Sequence, residues 1–295
     1  MTDATILIPT HRHAALLPYA VRSALDQHGA SVEVFLVGDG VGDATRAAVA
    51  ELAVDLRLRF FDFPKGERYG ELHRHATLAE AAGRIVCYLE DDDLLLPEHV
   101  ARMSRLLDGA DFAHSAPAWI EDTGELVYQP WNMARPEFAW LMRSGRGSVG
   151  LSGAAHTLEA YRRLPYGWRT TPSDLPTDRY MWLQWLDLPG FRGVTSDRLT
   201  HLHFPEHQWR RFRDDERAAT LEEWLRRSRE PGFPEELDEL LRAAIVRGGE
   251  DFRIRAREAE LTLHAIQSTR TWRVRRRLAG LRPLRALRAR RGGAR

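Results

Sequence analysis

Four short apolar runs recur in the first third of the chain, and a polar cluster follows most of them. They are residues 4–9 (ATILIP), 32–37 (VEVFLV), 57–63 (RLRFFDF) and 84–89 (RIVCYL). Helical stretches separate them. Residues 15–28 set Leu16, Leu17, Ala20, Val21, Ala24 and Leu25 on one face, with Pro18 in the first turn, where proline is tolerated. Helices are expected over 44–53, capped by Asp43, over 70–82, and from Pro97 through Leu107. Strand and helix alternating at roughly 25-residue intervals predict a mostly parallel, doubly wound α/β sheet. Ligands of such sheets bind beyond the carboxyl ends of the strands. The clusters THRH (10–13), GDGVGD (38–43) and EDDD (90–93) all sit at those ends, so they are expected to converge on one crevice.

The rest of the chain is less regular. Strands are expected around a Thr123-Gly124 turn within 111–131, then a glycine-rich loop at 144–153. Helices are expected at 156–164 and 176–187, and a return to the sheet over 191–204. From about residue 212 the pattern is helical, with breaks expected at Pro231-Gly232 and Gly248-Gly249.

Composition removes several alternatives. The single cysteine, Cys87, excludes an intramolecular disulfide framework and a cysteine-rich zinc site. No apolar run is long enough for a membrane-spanning helix, and no basic segment precedes an apolar core at the start. A cytoplasmic protein is the expectation. The formal net charge of +1 hides an asymmetry: no acidic residue follows Glu260, and all the positive excess lies in the arginine-rich end of the chain. Lys65 is the sole lysine. Within 272–288, Trp272, Leu278, Leu281, Leu284 and Leu287 recur among arginines. Such a segment suits an anionic membrane surface, and contact with the inner face of the membrane through 270–295 is one expectation. Folding back on the acidic body is the other. Arginine clusters also bind nucleic acid, but no nucleic-acid-binding fold is visible, and none is expected as a partner.

Four consecutive carboxylates, Glu90 to Asp93, repel one another. At the end of a buried strand they call for a cation, and hard oxygen ligands suit Mg²⁺ or Mn²⁺ with substrate phosphates completing the shell. The bland alternative is a solvated turn capping the helix near Pro97. The glycines at 38–42 have a rival reading as a dinucleotide fingerprint. Gly38 and Gly40 fit it, but Asp43 stands where the third glycine belongs, and the loop follows the second strand instead of the first.

The string RIVCYLEDDDLLLPEHV resembles the strand–DXD–helix segment of inverting family 2 glycosyltransferases with the glycosyltransferase A fold. ILIPTHRHAALLPYAVRSAL resembles that family's opening strand and helix, VEVFLVGDGVGDAT its second strand and nucleoside-binding aspartate loop, and GELHRHATLAEAAGRIVCYLEDDD the helix leading into the DXD. The likeness is good over about 4–108 and loose over 109–210. It implies a nucleotide-diphosphate-sugar transferase fold with a C-terminal helical extension, a UDP- or TDP-linked donor, a saccharide or small-molecule acceptor, and Mn²⁺ or Mg²⁺. The implied division is a catalytic domain over 1–210, with a donor half at 1–108 and an acceptor half at 109–210. A helical extension over 211–268 and the arginine-rich tail 269–295 follow.

By the same resemblance, Pro9, Thr10, His11 and Arg12 surround the nucleobase and ribose, Asp39 contacts the base, and Arg74 lies near the diphosphate. In the usual frame the DXD falls on Glu90-Asp91-Asp92, with Asp92 as metal ligand, Glu90 beside it and Asp91 near the ribose. Glu90 replaces the family's first aspartate, and the frame Asp91-Asp92-Asp93 stays open. His75 stands where asparagine is usual. PSDLPTDRYMWLQWL resembles the family's Glu-Asp motif at a helix start, with Thr177 in place of glutamate. Asp178 there matches the general base of an inverting transfer, Asp174 is the alternative, and a plain helix cap is the bland reading.

His201 and His203 fall on one side of a strand, and His203 is the favoured additional metal contact. Trp131, Trp140, Trp168, Trp182 and Trp185 lie where an acceptor platform is expected, though tryptophan serves cores equally well. Gln208-Trp209-Arg210-Arg211-Phe212 faintly resembles the Gln-x-x-Arg-Trp motif of processive synthases, whose membrane helices this sequence does not show. Two other classes remain: a non-catalytic sugar-nucleotide binder, which the Glu90 and Thr177 departures allow, and a nucleotidyltransferase, for which PTHRHAALLP lacks a glycine-rich triphosphate loop.

Overall fold

A computed structural model describes residues 2–269 and residue 271, so the expectations placed on 270–295 fall outside the described residues. The chain divides into two compact units, Met1–Ala244 and Ile245–Arg295. Within the first, the elements run β1 (Ala4–Thr10), α1 (Leu17–Leu25), β2 (Val32–Asp39), α2 (Asp43–Leu52), β3 (Leu58–Phe63), α3 (Glu71–Leu78) and β4 (Ile85–Tyr88). Then come β5 (Leu94–Leu95), α4 (His99–Leu106), β6 (Phe112–His114), β7 (Ala118–Ile120), β8 (Leu126–Tyr128), α5 (Pro136–Arg143) and β9 (Ala154–Thr157). The series ends with α6 (Leu158–Tyr161), α7 (Thr177–Asp187), β10 (Gly193–Thr195), β11 (His201–Leu202), α8 (Glu206–Trp209), α9 (Asp214–Arg227) and the long α10 (Phe233–Ser268).

Seven strands form the main sheet in the order β10-β6-β9-β4-β1-β2-β3. The pairs β1–β2, β1–β4, β2–β3 and β6–β10 are parallel, and β9 alone runs antiparallel, between β4 and β6. Thr10 pairs with Gly38 and Leu7 with Tyr88, so the carboxyl ends of β1, β2 and β4 open on the same edge. Two small antiparallel pairs sit outside this sheet, β5 with β11 and β7 with β8.

Strand alternation sorts the side chains. Ile6 and Ile8 face one side with Leu17, Ala20, Val21 and Ala24 of α1 and Val100 and Met103 of α4. Leu7 and Tyr88 face the other with Phe112, Phe138, Trp168, Trp182 and Trp185. A third cluster joins Leu16, Leu94 and Leu202 to Leu221, Trp224 and Leu225 of α9 and to Phe233, Leu237 and Leu241 at the start of α10. The described part of the second unit continues α10 and leaves Ile254, Leu261 and Leu263 exposed. No helix among the described residues is long and apolar enough to cross a membrane.

Several expectations change. Asp43 is the first helical residue and not the cap; Gly42 is the cap, and Asp43 sits exposed beside Arg46 at 3.5 Å, where its charge still complements the helix dipole. The helix expected at 156 starts at 158, because His156 and Thr157 complete β9, and the Thr157 hydroxyl then accepts from the Ala160 N–H at 3.1 Å as a helix cap. Only Gly193–Thr195 of the returning segment joins the main sheet; His201 and Leu202 pair with Leu95 and Leu94 instead. The helix breaks at Pro231-Gly232 but runs through Gly248-Gly249, since a helical glycine costs only about 1 kcal/mol. Trp168, Trp182 and Trp185 are core residues and not an acceptor platform; each is at most 1% exposed.

Because the Trp182 indole is buried and donates to the Val149 carbonyl at 2.9 Å, Trp182→Ala is expected to destabilise the fold by about 3–5 kcal/mol. Trp140→Ala, at an exposed position, should stay within about 0.5 kcal/mol. Urea unfolding of both variants checks the contrast.

Candidate active site

The three strand-end clusters meet at one cavity of about 1180 Å³. Its lining includes Pro9, Thr10, His11, Arg12, Asp39, Arg74, Glu90, Asp91, Asp92, Asp174, Asp178 and His203, but not Asp93, His201 or Trp131.

Asp39, at the end of β2, is buried, and both its oxygens are engaged. Oδ1 accepts from the Gly66 N–H at 2.6 Å and Oδ2 from Lys65 Nζ at 2.5 Å. His11 Nδ1 donates to the Asp39 carbonyl at 2.7 Å, tying the β1 loop to the β2 loop. Gly70 has φ +67°, and a Cβ there would lie 2.7 Å from the Asp39 carboxyl carbon, so only glycine fits. Arg12 extends outward and pairs with Glu206 at 3.7 Å. Arg74, on α3, is buried; its Nη2 donates to the Tyr69 carbonyl at 3.1 Å, while Nε and Nη1 have no partner. Its guanidinium lies 4.8 Å from the Trp168 ring. A buried guanidinium with unpaired donors is arranged for an anion.

The acidic run is compensated residue by residue. Asp91 accepts from the Thr10 hydroxyl at 2.7 Å and lies 2.8 Å from His13 Nδ1. This hydrogen bond, against burial, raises the His13 pKa. Asp92 accepts from Arg217 Nη2 at 2.7 Å. Burial and the charges of Asp93 and Asp91 still push Asp92 up to about 7, against the pull of His13 and Arg217. Asp93 is fully buried, paired with His203 Nδ1 at 2.7 Å and accepting from the Phe204 N–H at 2.8 Å. Burial would raise its pKa, but the His203 charge and these hydrogen bonds hold it below the ordinary value. Burial would lower His203, yet Asp93 and Glu90 lift it to about 10. Glu90 makes no close pairing; its carboxylate lies 3.7 Å from His203, and burial with the Asp93 charge drives its pKa well up. Two groups of possible ligand atoms result, each within 4.8 Å: His13 with Asp91 and Asp92, and Glu90 with Asp93 and His203. The expected metal trio Asp92, Glu90 and His203 is thus divided between neighbouring groups.

Asp178 opens α7. Burial lifts its carboxyl to about 6, opposed by Arg74, His203 and the Leu151 N–H. It lines the large cavity and also a second cleft of about 270 Å³ bordered by Trp119, Gln129, Trp131 and His201. Asp174 lines only the large cavity. The glycine-rich loop packs on Trp131: a Cβ on Gly147 would fall 2.7 Å from its ring.

Four contributors escaped the sequence reading. Glu71 is buried and accepts from the Thr177 hydroxyl at 3.3 Å, so a carboxylate from α3 stands beside the position where the motif lacks one. Lys65, singular in composition, clamps Asp39. His13 lay within the THRH cluster without an assigned partner. Arg217 is four residues before Leu221 on the buried face of α9, and an arginine inside an apolar stripe was the available signal.

The model for "Glycosyl transferase family 2" matches residues 5–166. The succinoglycan biosynthesis protein ExoO of Rhizobium meliloti (strain 1021) is 34% identical over 108 residues, which cover 37% of this chain and 30% of that protein. A GalNAc(5)-diNAcBac-PP-undecaprenol beta-1,3-glucosyltransferase of Campylobacter jejuni is 28% identical over 97 residues, covering 32% of this chain and 31% of the relative. The chain therefore matches less than a third of the length of these curated relatives. Among solved structures, S. aureus TarS 1-349 in complex with UDP superposes with a TM-score of 0.53 at 14% identity, over 75% of this chain and 65% of that one. Mannosyltransferase PcManGT from Pyrobaculum calidifontis, in complex with GDP-Man and Mn²⁺, gives 0.50 at 18% identity, over 92% and 82%. At these identities the likeness shows a shared fold, the glycosyltransferase A arrangement.

The His203–Asp93 pair gives a pH test. A histidine raised from 6.5 to about 10 adds stability that is fully present below pH 6.5 and lost as pH rises through about 10. The urea midpoint of the wild type is expected to fall between pH 7 and pH 10, and His203→Asn should remove most of that fall.

Proposed function

The chain belongs to glycosyl transferase family 2, and on that premise we propose that it moves a sugar from a nucleotide-diphosphate donor to an acceptor hydroxyl by one inverting displacement. The observation that carries this reading is the position of Asp178, which borders both the carboxylate-lined cavity and the tryptophan-lined cleft. A base there reaches an acceptor lying in the cleft and the anomeric carbon of a donor lying in the cavity.

The arrangement of the cavity lining supports the following roles. Pro9, Thr10, His11, Arg12 and Asp39 border the nucleoside end of a UDP- or TDP-linked donor. Arg74, which lines the cavity and leaves Nε and Nη1 unpaired, is the cation for the diphosphate. Asp91, fixed by Thr10 and His13, lies toward the ribose. Asp93 has both oxygens committed within the fold, which favours the frame Glu90-Asp92 over Asp91-Asp93. Burial and the neighbouring carboxylates raise the pKa of Glu90 and Asp92, and a set of carboxylate oxygens with one imidazole fits a hard divalent cation. These two, with the free ring nitrogen Nε2 of His203, would hold Mn²⁺ or Mg²⁺, and the ion would neutralise charge on the departing diphosphate. A ligating histidine commonly gives its other ring N–H to a carboxylate, as His203 does to Asp93.

In the transfer, Asp178 takes the proton of the acceptor hydroxyl as that oxygen bonds to the anomeric carbon. The bond from that carbon to the β-phosphate oxygen breaks, and the nucleoside diphosphate leaves with the electron pair. Trp119 and Trp131 offer faces for a saccharide acceptor. Positioning and charge supply most of the rate, since little covalent chemistry falls to the protein.

Asp178→Asn is expected to keep nucleotide-diphosphate affinity and to lose transfer by about 10²–10⁴-fold, the usual worth of a general base. Near-normal turnover removes Asp178 from that role. Because the base must be ionised, the wild-type rate should fall as pH drops through about 6. Asp92→Ala is expected to abolish the Mn²⁺-dependent part of UDP or TDP binding in calorimetry, and unchanged binding would reject the assignment.

A further inference from the structure

We propose that Arg217 makes divalent-cation binding conditional on the donor, by offsetting the charge of Asp92 so that a cation is held only once a diphosphate adds its own negative charge. The inference rests on the reading above, in which Asp92 is a cation ligand.

Arg217 Nη2 lies 2.7 Å from Asp92 Oδ2, and the two side chains are only 7% and 10% exposed. The arginine comes from α9, well outside the segment matched by the family model, 125 residues along the chain from its partner. Its place is set by packing. Leu221, Trp224 and Leu225, at four, seven and eight residues further on, bury the same face of α9 against Leu16, Leu94 and Leu96. Leu94 lies in β5, the strand that directly follows the acidic run, and Leu96 comes immediately after it. Helix and acidic run are therefore held by one apolar cluster, and the guanidinium cannot drift away from Asp92 without disturbing it.

The electrostatic consequence is direct. A guanidinium is permanently charged and cannot relieve a conflict by losing its proton. A divalent cation brought to Asp92 alone meets a fixed positive charge a few ångströms away, in surroundings of low polarity where that repulsion is poorly screened. Of the other carboxylates nearby, Asp91 is occupied by Thr10 and His13, and Asp93 by His203 and the Phe204 N–H. Glu90 alone lacks a close partner, and one uncompensated carboxylate beside a fixed guanidinium is too little for a tight site. A diphosphate adds several negative oxygens at the same place, and the balance then favours the cation. Arg217 thus acts as a positioning residue that couples the two ligands, and it keeps the carboxylates ordered when neither is bound.

The test measures Mn²⁺ binding to the full chain by electron paramagnetic resonance, with Mn²⁺ alone and with UDP, GDP or TDP, corrected for Mn²⁺–nucleotide complexes in solution. Wild type should bind Mn²⁺ alone weakly and bind it much more tightly with one of the diphosphates. Arg217→Met and Arg217→Gln should bind Mn²⁺ alone about tenfold or more tightly than wild type, the size expected for removing one nearby charge, and should depend less on nucleotide. Arg217→Lys, which keeps the charge, should stay near wild type. If the uncharged variants bind Mn²⁺ alone no better than wild type, Arg217 is an anchor only and the inference is overturned. If neither folds, wild type decides: equal Mn²⁺ affinity with and without diphosphate overturns it as well. Absence of Mn²⁺ binding under every condition brings down the metal-dependent reading itself, and this inference with it.

Discussion

Four consecutive carboxylates stand at the end of β4, three of them almost out of water, and the rest of the site is organised around that charge. Asp93 is entirely buried and Asp91 and Asp92 nearly so. An uncompensated buried charge costs several kcal/mol, so each must find a partner or a proton. The partners come from three directions: Thr10 and His13 from the end of β1, Arg217 from α9, and His203 with the neighbouring Phe204 N–H from the end of β11. Glu90 is the member left without a close partner, and it faces the cavity. Removing water from this corner is what makes a bound cation or anion worth so much there.

The sheet explains how such distant residues meet. Parallel pairing of β1, β2 and β4 in register stacks three strand ends on one edge. The antiparallel insertion of β9 carries the chain back past that edge, so Gly153 meets the Tyr88 carbonyl at 3.2 Å and Ser152 receives the Glu90 N–H at 2.9 Å. The short β5–β11 pair then fixes His203 over Asp93, and the Ile120 N–H donates to the His203 carbonyl at 2.8 Å, closing the β7–β8 hairpin against the same point. The large cavity and the smaller cleft share Asp178 and His203 because these pieces converge from both halves of the sheet.

Much of this was legible beforehand, for a local reason. Apolar runs of strand length and stripes of helical spacing are written in consecutive residues, so β1 to β4 and their helices could be placed, with the polar clusters at their ends. Misplacements came where two local signals competed. Asp43 has the side chain of a cap, but the extended backbone falls on Gly42, and Gly248-Gly249 has the composition of a stop, but flanking helix formers carry the helix through. The tryptophans of α7 could serve a surface or a core, and burial against Tyr88 and Phe112 made them core.

By itself, then, the sequence determined the α/β alternation, the convergence of polar strand ends, and the chemical kinds of residue available to the site. Tertiary structure decided which carboxylates are spoken for. Asp93 against His203 and Asp92 against Arg217 join residues 110 and 125 positions apart. Such pairs are settled by strand pairing and helix docking, which depend on the burial of whole apolar faces and leave no trace in the spacing of neighbouring residues.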